Sequence, residues 1–260
     1  YFWVASGLTV GMAQQALVPP AAPEQGPRSE QERRTGTCIP KSAACTAAAL
    51  SIAVFAALLV TPDMHALRAD VYAGAARKAA GAGDWGSAVA AYHRALDLAP
   101  RQVHYLKALA RAYSAQALSE RPHRVECFTQ AEAALRRAIV LQPQDVDGLV
   151  ALGTLYYEWG VSSEPDRLDL ALETFEAAAA MSPTDPDILS RWGRVHHARG
   201  AYPHAEEKYR QALELAPLHA QTYSYLAEAY LMMQKLQAAR ETYDRLETVS
   251  AEIDRLISKR

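Results

Sequence analysis

Cysteine is scarce: the 260 residues hold only Cys38, Cys45 and Cys127, an odd number at wide spacing. That excludes a disulfide framework and a CxxC-type metal site. A charge excess is missing as well. The formal net charge is −2, so no basic field exists to meet a phosphate backbone, and nucleic acid is not expected as a partner. Glycine-rich phosphate loops, nucleophile elbows and zinc-protease motifs are absent, so neither a catalytic residue, a cofactor nor a metal is expected in this chain. What is present is a half-hydrophobic chain with 22% charged residues, long enough for one large or two small domains. Alanine dominates the apolar set and tyrosine the aromatics. Alanine is the best helix former, and the expected fold class is all-α.

The chain begins at Tyr1, and its first charge is Glu24. It reads as a piece of a longer protein, with an internal start at Met12 as the alternative. Residues 1–18 read as the end of an apolar or transmembrane segment, with Phe2 and Trp3 as interfacial aromatics. Residues 19–41, rich in Pro, Gly, Glu and Gln, read as a mobile polar loop. Residues 42–62 carry no charge and centre on Ala-Leu-Ser-Ile-Ala-Val-Phe-Ala-Ala-Leu-Leu-Val. Such a stretch is long enough for a transmembrane helix, which needs roughly 20 residues. A buried soluble helix is the other reading, favoured by the alanine content. A cleaved signal peptide fits less well, because the apolar stretch is long and lies far from the start. Arg28, Arg33, Arg34 and Lys41 before this stretch outnumber His65 and Arg68 after it. The positive-inside tendency then puts the loop in the cytoplasm and everything after residue 62 on the far side of a bacterial inner membrane.

Beyond residue 68 the sequence repeats itself. Ala-Leu-Asp-Leu-Ala-Pro100, Ala-Ile-Val-Leu-Gln-Pro143, Ala-Ala-Ala-Met-Ser-Pro183 and Ala-Leu-Glu-Leu-Ala-Pro217 share a small residue, a helical apolar face and a proline. Each proline ends a helix, since it has no N–H to donate and restricts the residue before it. From Pro183 to Pro217 is 34 residues; from Pro100 to Pro143 is 43 and from Pro143 to Pro183 is 40. The two longer intervals carry inserts at Ala115 to Cys127 and Val161 to Arg167, each of which lengthens a helix or extends a loop.

Aligned on the prolines, the first repeat has Tyr72, Ala76, Ala88, Tyr92 and Ala95, and the second Leu106, Leu109, Ala110, Tyr113, Ala131, Leu135 and Ala138. The third has Leu149, Leu152, Gly153, Tyr156, Ala171, Phe175 and Ala178, the fourth Leu189, Trp192, Gly193, Ala205, Tyr209 and Ala212, and the fifth Tyr223, Leu226, Ala227, Tyr230, Ala239 and Tyr243. With its 34-residue period, this pattern resembles the tetratricopeptide repeat (TPR) family over roughly three-quarters of the chain. The resemblance implies a right-handed superhelix of about five helix-turn-helix repeats over residues 69–250, at 69–102, 103–145, 146–185, 186–219 and 220–250, with residues 251–260 as a capping helix. Gly153 and Gly193 mark close helix crossings opposite Ala171 and Ala205. No repeat is stable alone in such a stack, because its apolar faces are buried only by its neighbours.

In that family the first helix of each repeat lines the inner surface. Carried over residue by residue, the resemblance names Arg77, His104, Lys107, Arg111, Tyr157, Arg194 and His197 as the partner-binding groove. Arg77, Lys107, Arg111 and Arg194 form a basic stripe suited to the carboxylates of an acidic protein or peptide. The alternative is that these are solvated helix faces. The lysine-and-asparagine clamp of some family members is not reproduced. His196 and His197 point to different helix faces with no third ligand one turn on, and His196 reads as packing filler where the family has tyrosine.

The order of apolar end, loop, span and repeats also resembles the C-terminal region of bacterial O-antigen ligase or polymerase-like membrane proteins. That resemblance implies a membrane-tethered, non-enzymatic scaffold in which glycan chemistry belongs to a part of the protein outside this chain. The alternative is a bitopic scaffold or assembly factor for an envelope or secretion complex.

Overall fold

In the computed structural model the described residues are 64–119 and 121–258, and they hold helices and short connections with no strand among them. Helix α1 runs through residues 64–81, ahead of the expected start at Ala69. It is followed by α2 (Trp85–Leu98), α3 (Val103–Ser119), a 3-10 turn (Arg121–His123), α4 (Arg124–Leu141), α5 (Val146–Ser162) and α6 (Arg167–Met181). Then come α7 (Pro186–Ala198), α8 (Tyr202–Leu215), α9 (Ala220–Met232) and α10 (Leu236–Ile257). Residues 1–18, 19–41 and the expected span 42–62 lie outside the described residues. Among the described residues no helix is long and apolar enough to cross a membrane.

The prolines act as expected. Helices α2, α4, α6 and α8 end at Leu98, Leu141, Met181 and Leu215, each two residues short of its proline. The intervening residue caps the helix by donating its N–H to the carbonyl four residues back. Starts are set by polar caps at two sites. Asp84 accepts a hydrogen bond from the Ser87 N–H at 3.0 Å, and Asp185 accepts one from the Asp187 N–H at 2.9 Å with Pro186 in the first turn. Both satisfy donors that a helix N-terminus leaves free.

Helices pair as antiparallel hairpins, α3 with α4, α5 with α6, α7 with α8 and α9 with α10, and each hairpin stacks on the next. Helices α3, α5, α7 and α9 also touch one another in sequence, which makes them the inner row of a superhelix. The turns after α1, α7 and α9 contain residues with left-handed backbone, Gly83 (φ 77°), Gly200 (φ 75°) and Gln234 (φ 59°). Beyond each of them the chain N–H reaches back into the helix, Asp84 to the Ala79 carbonyl, Ala201 to that of His196 and Lys235 to that of Tyr230. This closure calls for positive φ at one residue, which glycine adopts without strain.

The inserts lengthen helices. Helices α3 and α5 have 17 residues each where α7 and α9 have 13. Their added turns pack together: Arg124 donates to the Ala117 carbonyl at 3.0 Å and the Ser162 carbonyl at 2.9 Å. Beneath them Trp159 is buried, stacked on Phe128 at 5.4 Å between centroids and covered by the Arg167 guanidinium at 3.8 Å.

The crossings at Gly153 and Gly193 are close, as expected, and the rings they admit are Phe175 and Tyr209, one turn beyond Ala171 and Ala205 on the facing helices. A Cβ at Gly153 would sit 3.0 Å from the Phe175 ring, and one at Gly193 only 2.6 Å from Tyr209. Residues 251–257 form no separate capping helix but continue α10 to Ile257. Ala251 stands where earlier repeats have proline, and Leu246, Val249 and Ile253 carry the helical apolar spacing straight through.

Candidate inner-face binding site

The inner row of helices holds two clefts. The first, about 490 Å³, lies between α3, α5 and α7 and is lined by Lys107, Arg111, Ser114, Glu158, Asp187 and Arg191 among others. Most of its half-buried polar groups have partners, whereas the exposed Arg111 makes no ion pair or hydrogen bond among the described residues. Lys107 Nζ lies 2.9 Å from Asp145 Oδ2 and 3.7 Å from Asp147 Oδ2. Ser114 donates to Glu158, Arg191 Nη1 donates to Thr154 Oγ1 at 3.3 Å, and Asp187 Oδ1 meets His219 Nε2 at 3.1 Å. His219 in turn bonds Thr222 at 2.6 Å through Nδ1, and the buried Thr222 hydroxyl donates to Ser190. A polar chain thus joins the starts of α7 and α9.

The second cleft, about 460 Å³, lies between α5, α7 and α9 and is lined by Tyr157, Arg194, His197, Tyr209, Tyr225 and Glu228, with Leu168 and Pro165 at one end. Arg194 lies over two rings, 4.6 Å from the Tyr157 centroid and 5.1 Å from that of Tyr225. Such stacking suits a planar guanidinium, which holds its hydration weakly. Tyr209 and Tyr225 stack at 5.9 Å. The Tyr209 side chain is fully buried, and its hydroxyl has no hydrogen-bond partner among the described residues. Burial pushes the Tyr209 phenol far above its usual range, against the nearby Arg194. Burial also holds His197 below the ordinary histidine value, with Glu228 acting in opposition.

The residues expected in one groove are therefore divided. Lys107 and Arg111 share the first cleft, and Tyr157, Arg194 and His197 share the second. His104 is exposed, with its ring edge-on to Tyr105 at 4.1 Å, and Arg77 is exposed on α1. Neither lines a cleft. The basic stripe is also not purely basic, because Asp145, Asp147, Asp185 and Asp187 from the starts of α5 and α7 reach the same face as Lys107 and Arg111. Two functional candidates escaped the sequence pattern. Tyr225 lies one position off the groove register, and Tyr209 comes from a second helix and enters through the room that Gly193 leaves. On the packing side, His196 stacks between Trp192 and His204, at 6.2 Å and 5.4 Å. No group of three metal-ligating side chains occurs among the described residues.

Stacked two-helix repeats with an inner row of first helices define an α-helical solenoid. A tetratricopeptide repeat model matches residues 126–186, 164–218 and 190–252, and this part of the chain consists of tetratricopeptide repeats. Solved structures of the same fold include MamA from Desulfovibrio magneticus RS-1, at 14% identity and a TM-score of 0.55, covering 71% of this chain and 96% of that one. TTC0263, a thermophilic TPR protein of Thermus thermophilus, is 22% identical with a TM-score of 0.55, covering 73% of this chain and 96% of that one. Another MamA crystal structure aligns at 19% identity and a TM-score of 0.52, over 72% of this chain and 94% of that one. No curated protein sequence matches the chain.

Proposed function

We propose that this chain is a protein-interaction scaffold whose inner helical face, lined by α3, α5, α7 and α9, receives a segment of a protein partner. The observation that carries this reading is the pair of clefts on that face, the second of which holds a half-buried cation without a carboxylate partner among the described residues. The clefts offer stacking and charge rather than a reacting constellation, so the role is recognition. Affinity capture with the full chain tests it. Wild type and an outer-face Val140→Glu variant are expected to recover the same partner, whereas Arg194→Glu loses it. Equal recovery by all three, with helix content intact, rejects the inner face as the contact surface.

The finer reading is a membrane-tethered scaffold, anchored by residues 42–62 with the repeats extracytoplasmic, in a surface-polysaccharide assembly protein similar to O-antigen ligases. It is supported by the apolar run, the arginines of residues 19–41 and the order of segments. A bitopic scaffold for an envelope or secretion complex is the alternative. Labelling of a single cysteine introduced at Val140, which is 77% exposed, by an impermeant thiol reagent in whole cells is the expected result, read in a variant with the three native cysteines replaced. Protection until lysis contradicts the outward orientation.

A further inference from the structure

Arg194 differs from the other half-buried cations of the two clefts; Arg111, which also makes no ion pair or hydrogen bond among the described residues, is exposed. Lys107 is held by Asp145 and Asp147, and Arg191 donates to Thr154. Arg194 is half-buried, yet its contacts are the faces of Tyr157 and Tyr225, with no ion pair or hydrogen bond to it among the described residues. The two rings fix the plane of the guanidinium and leave its N–H edge unspent. A fork held this way is organised in advance for a carboxylate, so less side-chain freedom is lost on binding.

A second feature of the same cleft points to a ligand independently. Tyr209 lines it, fully buried, with a hydroxyl that nothing among the described residues satisfies. Buried polar groups are overwhelmingly paired in native proteins, so a donor left open beside an unpaired cation marks a place where the partner or a bridging water completes the bonding. Leu168, Pro165, Val161 and Ala198 add apolar wall, and His197 is a further polar group of the cleft. Glu228 stands on the rim at the position of α9 that Arg194 holds in α7, one 34-residue period earlier. Its charge disfavours a second acid on that side.

From these observations we infer that the cleft between α5, α7 and α9 is a docking site for a partner segment bearing one carboxylate flanked by apolar side chains, with Arg194 as the carboxylate receptor. This rests on the inner face being the recognition surface, and it narrows that surface to one cleft and one ligand chemistry. The first cleft is a poorer receptor for acids because Asp145 and Asp147 hold Lys107, Asp187 and Glu158 add negative charge to its walls, and Arg111 is exposed with no ring to fix its plane.

The test uses the full chain and two pools of fluorescent, amidated nonapeptides. Each pool has Leu, Val or Tyr beside the central residue, which is Glu in one pool and Gln in the other, with Gly and Ser elsewhere. Fluorescence anisotropy is expected to show the Glu pool binding at least tenfold more tightly to wild type, with that preference gone in Arg194→Gln and retained in Lys107→Gln. Arg240→Gln, on the exposed side of α10, serves as the charge control, and circular dichroism verifies each fold. Equal binding of the two pools by wild type overturns the carboxylate assignment while leaving the inner face as a peptide site. A Glu preference that survives Arg194→Gln and disappears in Lys107→Gln moves the site to the first cleft and overturns the inference. Absence of binding by either pool to the folded protein overturns the inference together with the reading it rests on.

Discussion

The two inner clefts are built from the same row of helices, yet the half-buried polar groups of one are paired and those of the other are open. In the first, Lys107, Arg191 and Ser114 already have partners on neighbouring helices, so its polar groups fasten one repeat to the next. In the second, Arg194 and Tyr209 face each other's neighbourhood without hydrogen-bond partners among the described residues. The difference lies in the connections. Asp145 and Asp185 begin α5 and α7, whereas His219 and Ala220 begin α9, so the acidic pairs that neutralise the first cleft have no counterpart further along. A solenoid can thus hold itself together and recognise a partner with the same helix face, by varying which repeats bring acids to it.

Substitutions can break this contrast or sharpen it. The largest effect is expected from Gly193→Ala, whose Cβ would lie 2.6 Å from the Tyr209 ring and must displace it. Overpacking of this kind costs about 1–3 kcal/mol. Gly153→Ala, with 3.0 Å to Phe175, should cost less, and urea midpoints of the two variants measure the ordering. Next comes Lys107→Gln, which strands Asp145 with a side chain only 21% exposed and should lower stability by about 1 kcal/mol. Arg194→Gln removes ring contacts worth about 0.5–1 kcal/mol but strands no carboxylate, and should cost no more than Lys107→Gln. A larger loss for Arg194→Gln than for Lys107→Gln in the absence of any ligand would erase the distinction between the clefts.

The smallest effect is in pH. Burial is the leading cause holding both His196 and His197 below the ordinary histidine value of 6.5, with Lys208, Arg199 and His204 adding to it at His196 and Glu207 opposing. The unfolded chain therefore takes up protons that the folded protein resists. Stability should be level above pH 6.5 and fall as pH drops below it. His197→Gln should flatten part of that slope, as read from urea midpoints at pH 7.5 and 5.5. At Glu206 burial works to raise the carboxyl, and the bonds from Lys235 and Tyr230 with the nearby Arg210 outweigh it and leave it lowered. Its contribution persists above the ordinary value of 4.5 and is lost only in stronger acid.

Much of the fold was legible because its rules are local. A proline every repeat stops the second helix, and Gly or Ala at fixed spacing admits a ring from the facing helix. The helical continuation past Ala251 was legible in principle too, since no breaker follows the missing proline. The inserts were ambiguous because Ala115 to Cys127 suits a longer helix as well as a loop. The choice is made by long-range packing of Trp159 against Phe128 and by Arg124 bridging Ala117 to Ser162. The site was only half legible. Helical spacing put Tyr157, Arg194 and His197 on the inner face, but it carries no information on which cations already have partners. Those partners, such as Asp145 for Lys107, come from connections more than 30 residues away. Tyr209 was read as packing, and its place in a cleft wall follows from the depth of the crossing at Gly193.

The most direct test of the inner face as the recognition surface is site-specific photocrosslinking. A photoreactive phenylalanine analogue is placed at Tyr225 in the second cleft, at Val150 in the first, and at Val140 on the outer face, in the full chain with its partner present. Strong adducts are expected from position 225, weaker ones from 150 and none from 140. Adducts from position 140 alone would contradict the inner face as the contact surface.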